Sequence, residues 1–327
     1  TLPPTLAAVS RSAGEVVLLD PVTLKVIRRV GAGAGPHDVA TSEDGRVAVT
    51  PLHGIFPEPH TGPIEPSEMR WRTAPSEGFA VLDLVSGART VYAIDGCARP
   101  HGAAATAQAH LVWITCESEG DIREIDTATG RARRSVTLTK GVHKAMLLAK
   151  KKIIAATNPE AGTLSLIDLA TGSVTTVTTG RGAEALAAST DETKIYVANA
   201  LDKTVCRVDA ASGKREACVA AGGAFPIALA VDETEARVWV ANNASSELVA
   251  LDFASGAITR RIALDSRPLG LAFDARNRRL FVGLPRLNAV IAIDAATGKV
   301  VARNHTVMEV DDLDLVPAVH FRTAPDT

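Results

Sequence analysis

Aromatic side chains and the sequence signatures of common cofactors are scarce in this chain. Phe, Trp and Tyr together make up 4% of the residues, and no apolar run is long enough to span a membrane as a helix. The sequence also contains no serine-nucleophile elbow, P-loop, dinucleotide fingerprint or haem-attachment CxxCH motif. These absences argue against the enzyme classes that depend on those motifs.

A strong excess of charge of one sign is missing as well. The formal net charge is −2, and acidic and basic residues are mixed along the chain. A nucleic-acid or anionic-membrane partner would require a basic face. We therefore expect a small-molecule ligand, no nucleic acid, no membrane, and a monomeric protein.

One unit of about 42 residues is repeated along the sequence. An Ile/Leu/Val-Asp doublet recurs with its aspartate at Asp20, Asp83, Asp126, Asp168, Asp209, Asp252 and Asp294. In the last six copies a glycine follows four residues later, and the gaps between aspartates are 63, 43, 42, 41, 43 and 42. The even spacing, with one longer gap, indicates seven units.

Each unit has the pattern of four β-strands. In "TVCRVDAASGKREACVA" two alternating segments flank a tight turn, and short β-rich segments such as "VWVANN" precede this hairpin. No amphipathic helical stretch separates the strands, which excludes parallel βαβ folds. The pattern predicts an all-β, seven-bladed β-propeller with four-stranded antiparallel blades.

The segments "YVANALDKTV", "VWVANNASSELVALDFASG" and "GPHDVATSEDGR" resemble the YVTN-repeat family of β-propellers. The resemblance covers nearly the whole chain and implies the propeller fold. It implies little about function, because one fold can carry many unrelated sites.

The two ends of the chain are predicted to share one blade. Residues 6–30 supply only three strands, so the fourth must come from residues 310–316 near the C-terminus. Pairing the N- and C-terminal strands closes the ring and removes an open sheet edge. We expect residues 1–327 to form a single propeller domain.

A ring of equivalent positions is expected near one mouth of the central channel. Counting from each repeat aspartate to the next inner strand gives His37, His101, His143, Glu184, Ile227, Leu269 and Asp311. Three histidines and two carboxylates are thus contiguous around the ring. Imidazoles and carboxylates that meet at one point are typical ligands of zinc, iron, copper or manganese.

These residues allow three interpretations. His37, His101, His143 and Glu184 are candidate metal ligands, with Glu184 or Asp311 as a catalytic base. The same histidines could instead only cap the inner strands by hydrogen bonds. A metal-free acid–base site made of His and Glu is the third possibility.

Residues beside the ring are candidate substrate contacts. Arg99, Arg181 and Arg267 lie two or three residues before ring positions and could recognise a carboxylate, although each is also an ordinary loop arginine. An apolar part of the ligand would pack against Ile227, Leu269 and Phe225.

The extra residues of the long unit, about 51–77, contain six prolines and two glycines and are predicted to be a loop. The strand order places this insertion on the ring face, where it would act as a lid. His53, His60 and Trp71 are its candidate contacts with a ligand, unless the loop is simply solvated.

The four cysteines can form two pairs. Cys206 and Cys218 lie at equal distances from Ser212 at the centre of a predicted hairpin, so we expect a cross-strand disulfide. Cys97 and Cys116 both approach the ring face and could pair, or Cys116 could bind a metal. Two disulfides, and a chain that starts at Thr1 without an initiator Met, suggest a periplasmic or secreted protein whose signal peptide has been removed.

Two hypotheses for function follow. The first is a metal-dependent hydrolase or lyase acting on a small, carboxylated molecule. The second is a non-catalytic periplasmic metal carrier or scaffold. A carrier often has His-rich segments, and their absence here favours the enzyme.

Overall fold

Seven four-stranded antiparallel sheets surround a central channel in a computed structural model that describes residues 5–54, 76–107 and 109–316. Each sheet is one blade, with its first strand at the channel and its fourth at the rim. The predicted seven-bladed propeller is confirmed. No helix within the described ranges is long and apolar enough to cross a membrane.

The strands repeat in the same order in every blade. We number the blades 1 to 7 and the strands β1 to β28 along the chain. The innermost strands are β28 (Val310–Val316), β4 (Ala40–Thr41), β8 (Pro100–Ala105), β12 (Ala145–Leu148), β16 (Ala183–Ala188), β20 (Pro226–Asp232) and β24 (Leu271–Asp274). The second strands are β1 (Thr5–Ser10), β5 (Val47–Leu52), β9 (Leu111–Cys116), β13 (Ile153–Asn158), β17 (Lys194–Asn199), β21 (Arg237–Asn242) and β25 (Arg279–Leu284).

The outer half of each blade is a hairpin. Its third strands are β2 (Glu15–Leu19), β6 (Gly78–Asp83), β10 (Asp121–Asp126), β14 (Thr163–Asp168), β18 (Thr204–Asp209), β22 (Glu247–Asp252) and β26 (Ala289–Asp294). The outermost strands are β3 (Val26–Gly31), β7 (Arg89–Tyr92), β11 (Ala132–Thr137), β15 (Val174–Thr178), β19 (Arg215–Ala220), β23 (Ile258–Ala263) and β27 (Val300–Asn304). Short 3₁₀ turns, Glu233–Glu235 and Pro285–Leu287, lie in blades 6 and 7.

The repeated aspartate forms the turn of this hairpin. In blade 4 the Asp168 carboxylate accepts the backbone N–H groups of Ala170 and Thr171 at 2.9 and 2.7 Å. The hydrogen bond from Thr171 lowers the pKa of Asp168. The glycine four residues later adopts a positive φ, 74° at Gly172, that an L-residue rarely tolerates. In blade 1 this position is Leu24, which takes a φ of 56° at some cost in strain.

Blade 1 closes the ring, as predicted. Its innermost strand β28 is C-terminal and pairs antiparallel with the N-terminal β1, with Leu6 opposite Leu315. The apolar core lies between neighbouring blades, where side chains such as Trp113 and Trp239 are fully buried. The inner strands are thus fixed from both sides, and so are the residues they present at the channel mouth.

Candidate functional site

The ring residues lie at or just before the start of the inner strands, where the strand pairing is irregular. The register between β16 and β17 shifts at Glu184, and the register between β20 and β21 shifts at Ile227. Pairing of β8 with β9 shifts across His101 and Gly102. A β-bulge of this kind turns the side chain of the extra residue away from the normal alternation. Bulges therefore help to aim ring residues at the channel mouth.

The five polar members of the ring form one continuous arc, in the order Asp311, His37, His101, His143, Glu184. The ring centroids of His37 and His101 are 3.9 Å apart, and those of His101 and His143 are 3.7 Å apart. A carboxylate flanks each end, with His37 Nε2 at 3.5 Å from Asp311 Oδ2 and His143 Nε2 at 3.5 Å from Glu184 Oε2. We call these five residues the histidine arc.

The arc is buried, and its central imidazole has few polar contacts. His101 is 1% exposed, and neither of its ring nitrogens hydrogen-bonds to another described residue; the same holds for Nδ1 of His37. Burial lowers the pKa of His37 well below its usual value, and neighbouring Arg11 adds to the effect. Burial and then His143 do the same for His101. Both imidazoles are therefore neutral near pH 7, the form that offers a lone pair.

A second row of polar groups lies beside the arc. The ring of His53 is 5.2 Å from that of His37 and 5.0 Å from that of His101. Glu117 Oε2 is 3.6 Å from His53 Nε2. The Arg99 guanidinium contacts both, at 3.2 Å from His53 Nε2 and 3.3 Å from Glu117 Oε2. The ligand atoms of His53, His101 and Glu117 lie within 4.8 Å of one another.

An ion-paired layer lies directly below the arc. Lys144 Nζ is 3.3 Å from Asp38 Oδ1 and 3.2 Å from Asp312 Oδ1. Burial alone would lower the pKa of Lys144, but the carboxylates of Asp312 and Asp38 outweigh burial and raise it. All three residues line a channel cavity of about 420 Å³ whose remaining wall is largely alanine and leucine. We call Asp38, Lys144 and Asp312 the ionic floor.

The three arginines predicted at the site lie in different environments. Arg99 lies beside the arc. Arg181 is 78% exposed and pairs with Asp202 through Nε at 2.7 Å, so it is oriented toward solvent. Arg267 is half-buried and has no hydrogen bond or ion pair with another described residue.

The predicted apolar contacts and the lid are placed only in part. Ile227 is buried and lines the channel cavity, whereas Leu269 and Phe225 are half-buried on the connections that precede β24 and β20. His53 lies at the ring face, directly after β5. His60 and Trp71, with most of the insertion, lie outside the described residues.

The predicted cysteine pair and the pair left open by the sequence are both disulfides. Cys206 and Cys218 are cross-strand partners in β18 and β19, which confirms the predicted bond. Cys97 is bonded to Cys116, so the idea that Cys116 provides a thiolate ligand for a metal is wrong. The two cysteines of this bond lie next to the second row of polar groups, since Cys97 precedes Arg99 by two residues and Cys116 directly precedes Glu117. Two such bonds are what an oxidising compartment produces.

The sequence contained a signal for the residues that were missed. Asp38, Lys144 and Asp312 each follow an arc residue by one position, so the same counting that found the arc leads to the floor. The position directly after the second strand is His53 in blade 2 and Glu117 in blade 3. Comparing every position of the repeat across the seven units identifies both the ionic floor and the pair of His53 and Glu117.

Comparisons with known proteins agree on the fold. A family model described as "YNCE-like beta-propeller" matches residues 76–312. No curated protein matches the sequence. A functionally unknown protein from Desulfotomaculum acetoxidans DSM 771 has a similar structure, with a TM-score of 0.73 at 12% identity over 96% of this chain and 99% of that one. Hydrazine synthase of Kuenenia stuttgartiensis gives 0.72 at 15% identity over 89% of this chain and 92% of that one. Identities this low show a common fold and nothing about chemistry.

Proposed function

The chain belongs to the YNCE-like β-propeller family, and on that fold we propose that the histidine arc binds a divalent transition metal ion for an enzymatic reaction. The ligands would be His37, His101 and His143, and the metal would be zinc, iron, copper or manganese. The observation that carries the proposal is His101, a buried imidazole packed between two others and lacking a hydrogen bond to any described residue. A buried polar group without a partner costs about 1–3 kcal/mol, which a bound ion would offset.

The three rings lie close to one another, but a shared ion requires their side chains to move. At normal metal–nitrogen distances, imidazole rings on one ion have centroids between about 4.5 and 6.4 Å apart, depending on the coordination angle. The observed separations are 3.9, 3.7 and 6.4 Å. The two short ones must widen by at least about 0.6–0.8 Å, which needs small changes of χ1 in the histidine side chains, and the long one lies at the limit of a linear arrangement.

The carboxylates at the ends of the arc suit an orienting role. Asp311 and Glu184 face Nε2 of His37 and His143, so the proposed ion would be coordinated by Nδ1 of these rings. A carboxylate behind a metal-binding histidine fixes its orientation and raises its basicity. We therefore assign Glu184 and Asp311 to orientation of the ligands or to proton transfer, and not to direct coordination.

A bound ion would supply a Lewis acid or an activated water molecule, the chemistry of hydrolases and lyases. Around it, this chain offers a general base in Glu184 or Asp311 and a guanidinium in Arg99. The alternative ligand set of His53, His101 and Glu117 is less suitable, because Arg99 already contacts two of its members. A cation at that place instead fits recognition of a substrate carboxylate.

A carrier that hands its ion to a partner is the competing proposal. The three histidines are between 1% and 8% exposed, which disfavours rapid transfer between proteins and favours a resident ion. The two disulfides support a periplasmic or secreted location for either role.

Elemental analysis tests the proposal. The wild-type protein, purified without a metal-affinity tag and incubated with zinc, copper, iron or manganese, should retain one ion per chain after desalting. His101→Ala should retain none while keeping the β-sheet spectrum of the wild type. His110→Ala is the matched control, because His110 lies at the turn before β9 and outside the arc. A wild type that binds no ion, or a His101→Ala variant that binds as well as wild type, would refute the proposal.

A further inference from the structure

Lys144 forms ion pairs that link three blades of the propeller across the central channel. It follows His143 in blade 4, while its partners Asp38 and Asp312 follow His37 in blade 2 and Asp311 in blade 1. The ammonium group thus reaches past blade 3 to bridge three blades from inside the channel. The pairs His37–Asp311 and His143–Glu184 each join only neighbouring blades.

The two aspartates carry this link to backbone groups near the histidines. Asp38 Oδ2 accepts the N–H of Ala103, two residues after His101, at 3.1 Å. Asp312 Oδ2 accepts the N–H of Val39, two residues after His37, at 3.3 Å. Movement of Lys144 would therefore disturb backbone groups in the blades of both histidines.

A buried hydroxyl adds a connection between blades 3 and 4. Thr115 Oγ1 accepts the N–H of Gly102 at 2.7 Å and donates to the carbonyl oxygen of His143 at 2.6 Å. The strand residue after His101 is thereby tied to the backbone of His143. Together, the ionic floor and Thr115 connect the backbone around all three proposed ligands.

We infer that Lys144 is the positioning residue of the metal centre, holding the backbone that carries His37, His101 and His143 in the arrangement from which their rings reach one ion. The inference rests on the proposed function. Loss of a polar partner that orients a metal ligand typically lowers metal affinity about 10- to 100-fold, and we expect a loss in this range from the layer behind the ligands as well. Lys144 would not touch the ion. It acts through Asp38 and Asp312.

The test compares Lys144→Met with a control in a second buried ion cluster. Arg278 contacts Asp232, which is fully buried and is the last residue of β20. Because β20 begins beside the ring, Asp232 lies at the far end of the strand from the arc, and Arg278→Met breaks a comparable ion pair there. Lys144→Met should raise the zinc dissociation constant about 10- to 100-fold. It should also change the visible absorption spectrum of the cobalt-substituted protein. Arg278→Met should change neither, although it lowers the melting temperature. Lys144→Arg, which keeps the charge, should recover part of the affinity.

A second variant covers the case in which Lys144→Met does not fold. Replacing Lys144 by Met together with Asp38→Asn and Asp312→Asn removes the whole charge cluster and leaves no buried charge without its partner. This triple variant should fold and bind zinc as weakly as Lys144→Met is expected to.

The outcomes separate this inference from the proposed function. If the wild type binds no metal, the proposed function fails and the inference fails with it. A wild type that binds zinc, with Lys144→Met and the triple variant giving unchanged affinity and an unchanged cobalt spectrum, would overturn the inference alone.

Discussion

Removing the Cys97–Cys116 disulfide should damage the metal centre, whereas removing Cys206–Cys218 should not. Cys97 precedes Arg99 by two residues and His101 by four, and Cys116 directly precedes Glu117. The other bond joins β18 to β19 in the outer half of blade 5. The two disulfides therefore differ mainly in their distance from the proposed metal ligands.

Their expected contributions to stability are nearly equal. The bonds close segments with sequence separations of 19 and 12 residues. Loop-closure entropy then gives about 3 kcal/mol for each bond, with a difference between them of only about 0.4 kcal/mol. Any larger difference between the two variants in metal affinity must come from the site.

The assay measures urea denaturation midpoints and zinc affinity for Cys97→Ala/Cys116→Ala and Cys206→Ala/Cys218→Ala. Both double variants should show a lowered midpoint of similar size. The first should also bind zinc about tenfold more weakly or worse, as for other changes next to a metal ligand. Equal zinc affinities for the two double variants would refute the reasoning.

Three further predictions concern single residues. Gly102→Ala would place a Cβ 2.5 Å from the carbonyl oxygen of His143, so it should cost about 1–3 kcal/mol of stability; an unchanged denaturation midpoint would contradict the tight contact. Burial raises the pKa of Asp314 to about 6, so its stabilising contribution is present in acid and is lost as the pH rises through that value. The melting temperature of the wild type should therefore fall relative to Asp314→Asn between about pH 4 and pH 6.5 and show no further relative change at higher pH, and parallel profiles throughout would show the carboxyl to be unperturbed. Arg99→Ala should weaken binding of malonate to the metal-loaded protein while Arg181→Ala has no effect, and equal losses would rule out a special role for Arg99.

The fold was predictable because its information is local and repeated. Each aspartate accepts the backbone N–H of the residue three positions later in its own hairpin, so a seven-fold repeat of the doublet fixes the number of blades. Even closure followed from a count, since β1 lacked an inner neighbour and residues 310–316 lacked a blade. The exception, Leu24 in place of a glycine, shows that one copy can depart from the pattern when the other strands hold it in place.

The arc was predictable for the same reason, but its surroundings were not. Register places His37, His101 and His143 side by side, and counting needs no knowledge of side-chain directions. The floor depends on Lys144 crossing the channel to reach Asp38, a contact between residues 106 positions apart in the chain. Such a contact depends on the channel diameter and on the length of the side chain, neither of which a repeat pattern contains.

The sequence repeat likewise could not predict the directions in which the side chains of the loop arginines point. Arg99 and Arg181 precede their ring positions by similar distances in sequence. Arg99 meets His53 and Glu117, which follow the second strands of blades 2 and 3, whereas Arg181 meets Asp202 in solvent. The identity of these neighbours, and not the arginine's own position, decides which one reaches the site.

Anomalous X-ray diffraction from crystals of the zinc-loaded protein tests the central claim most directly. Data collected on either side of the zinc absorption edge should show one strong peak at the channel mouth, about 2.0–2.1 Å from a ring nitrogen of each of His37, His101 and His143. A fully loaded crystal with its zinc peak anywhere else, or with no peak beside His101, would contradict the claim.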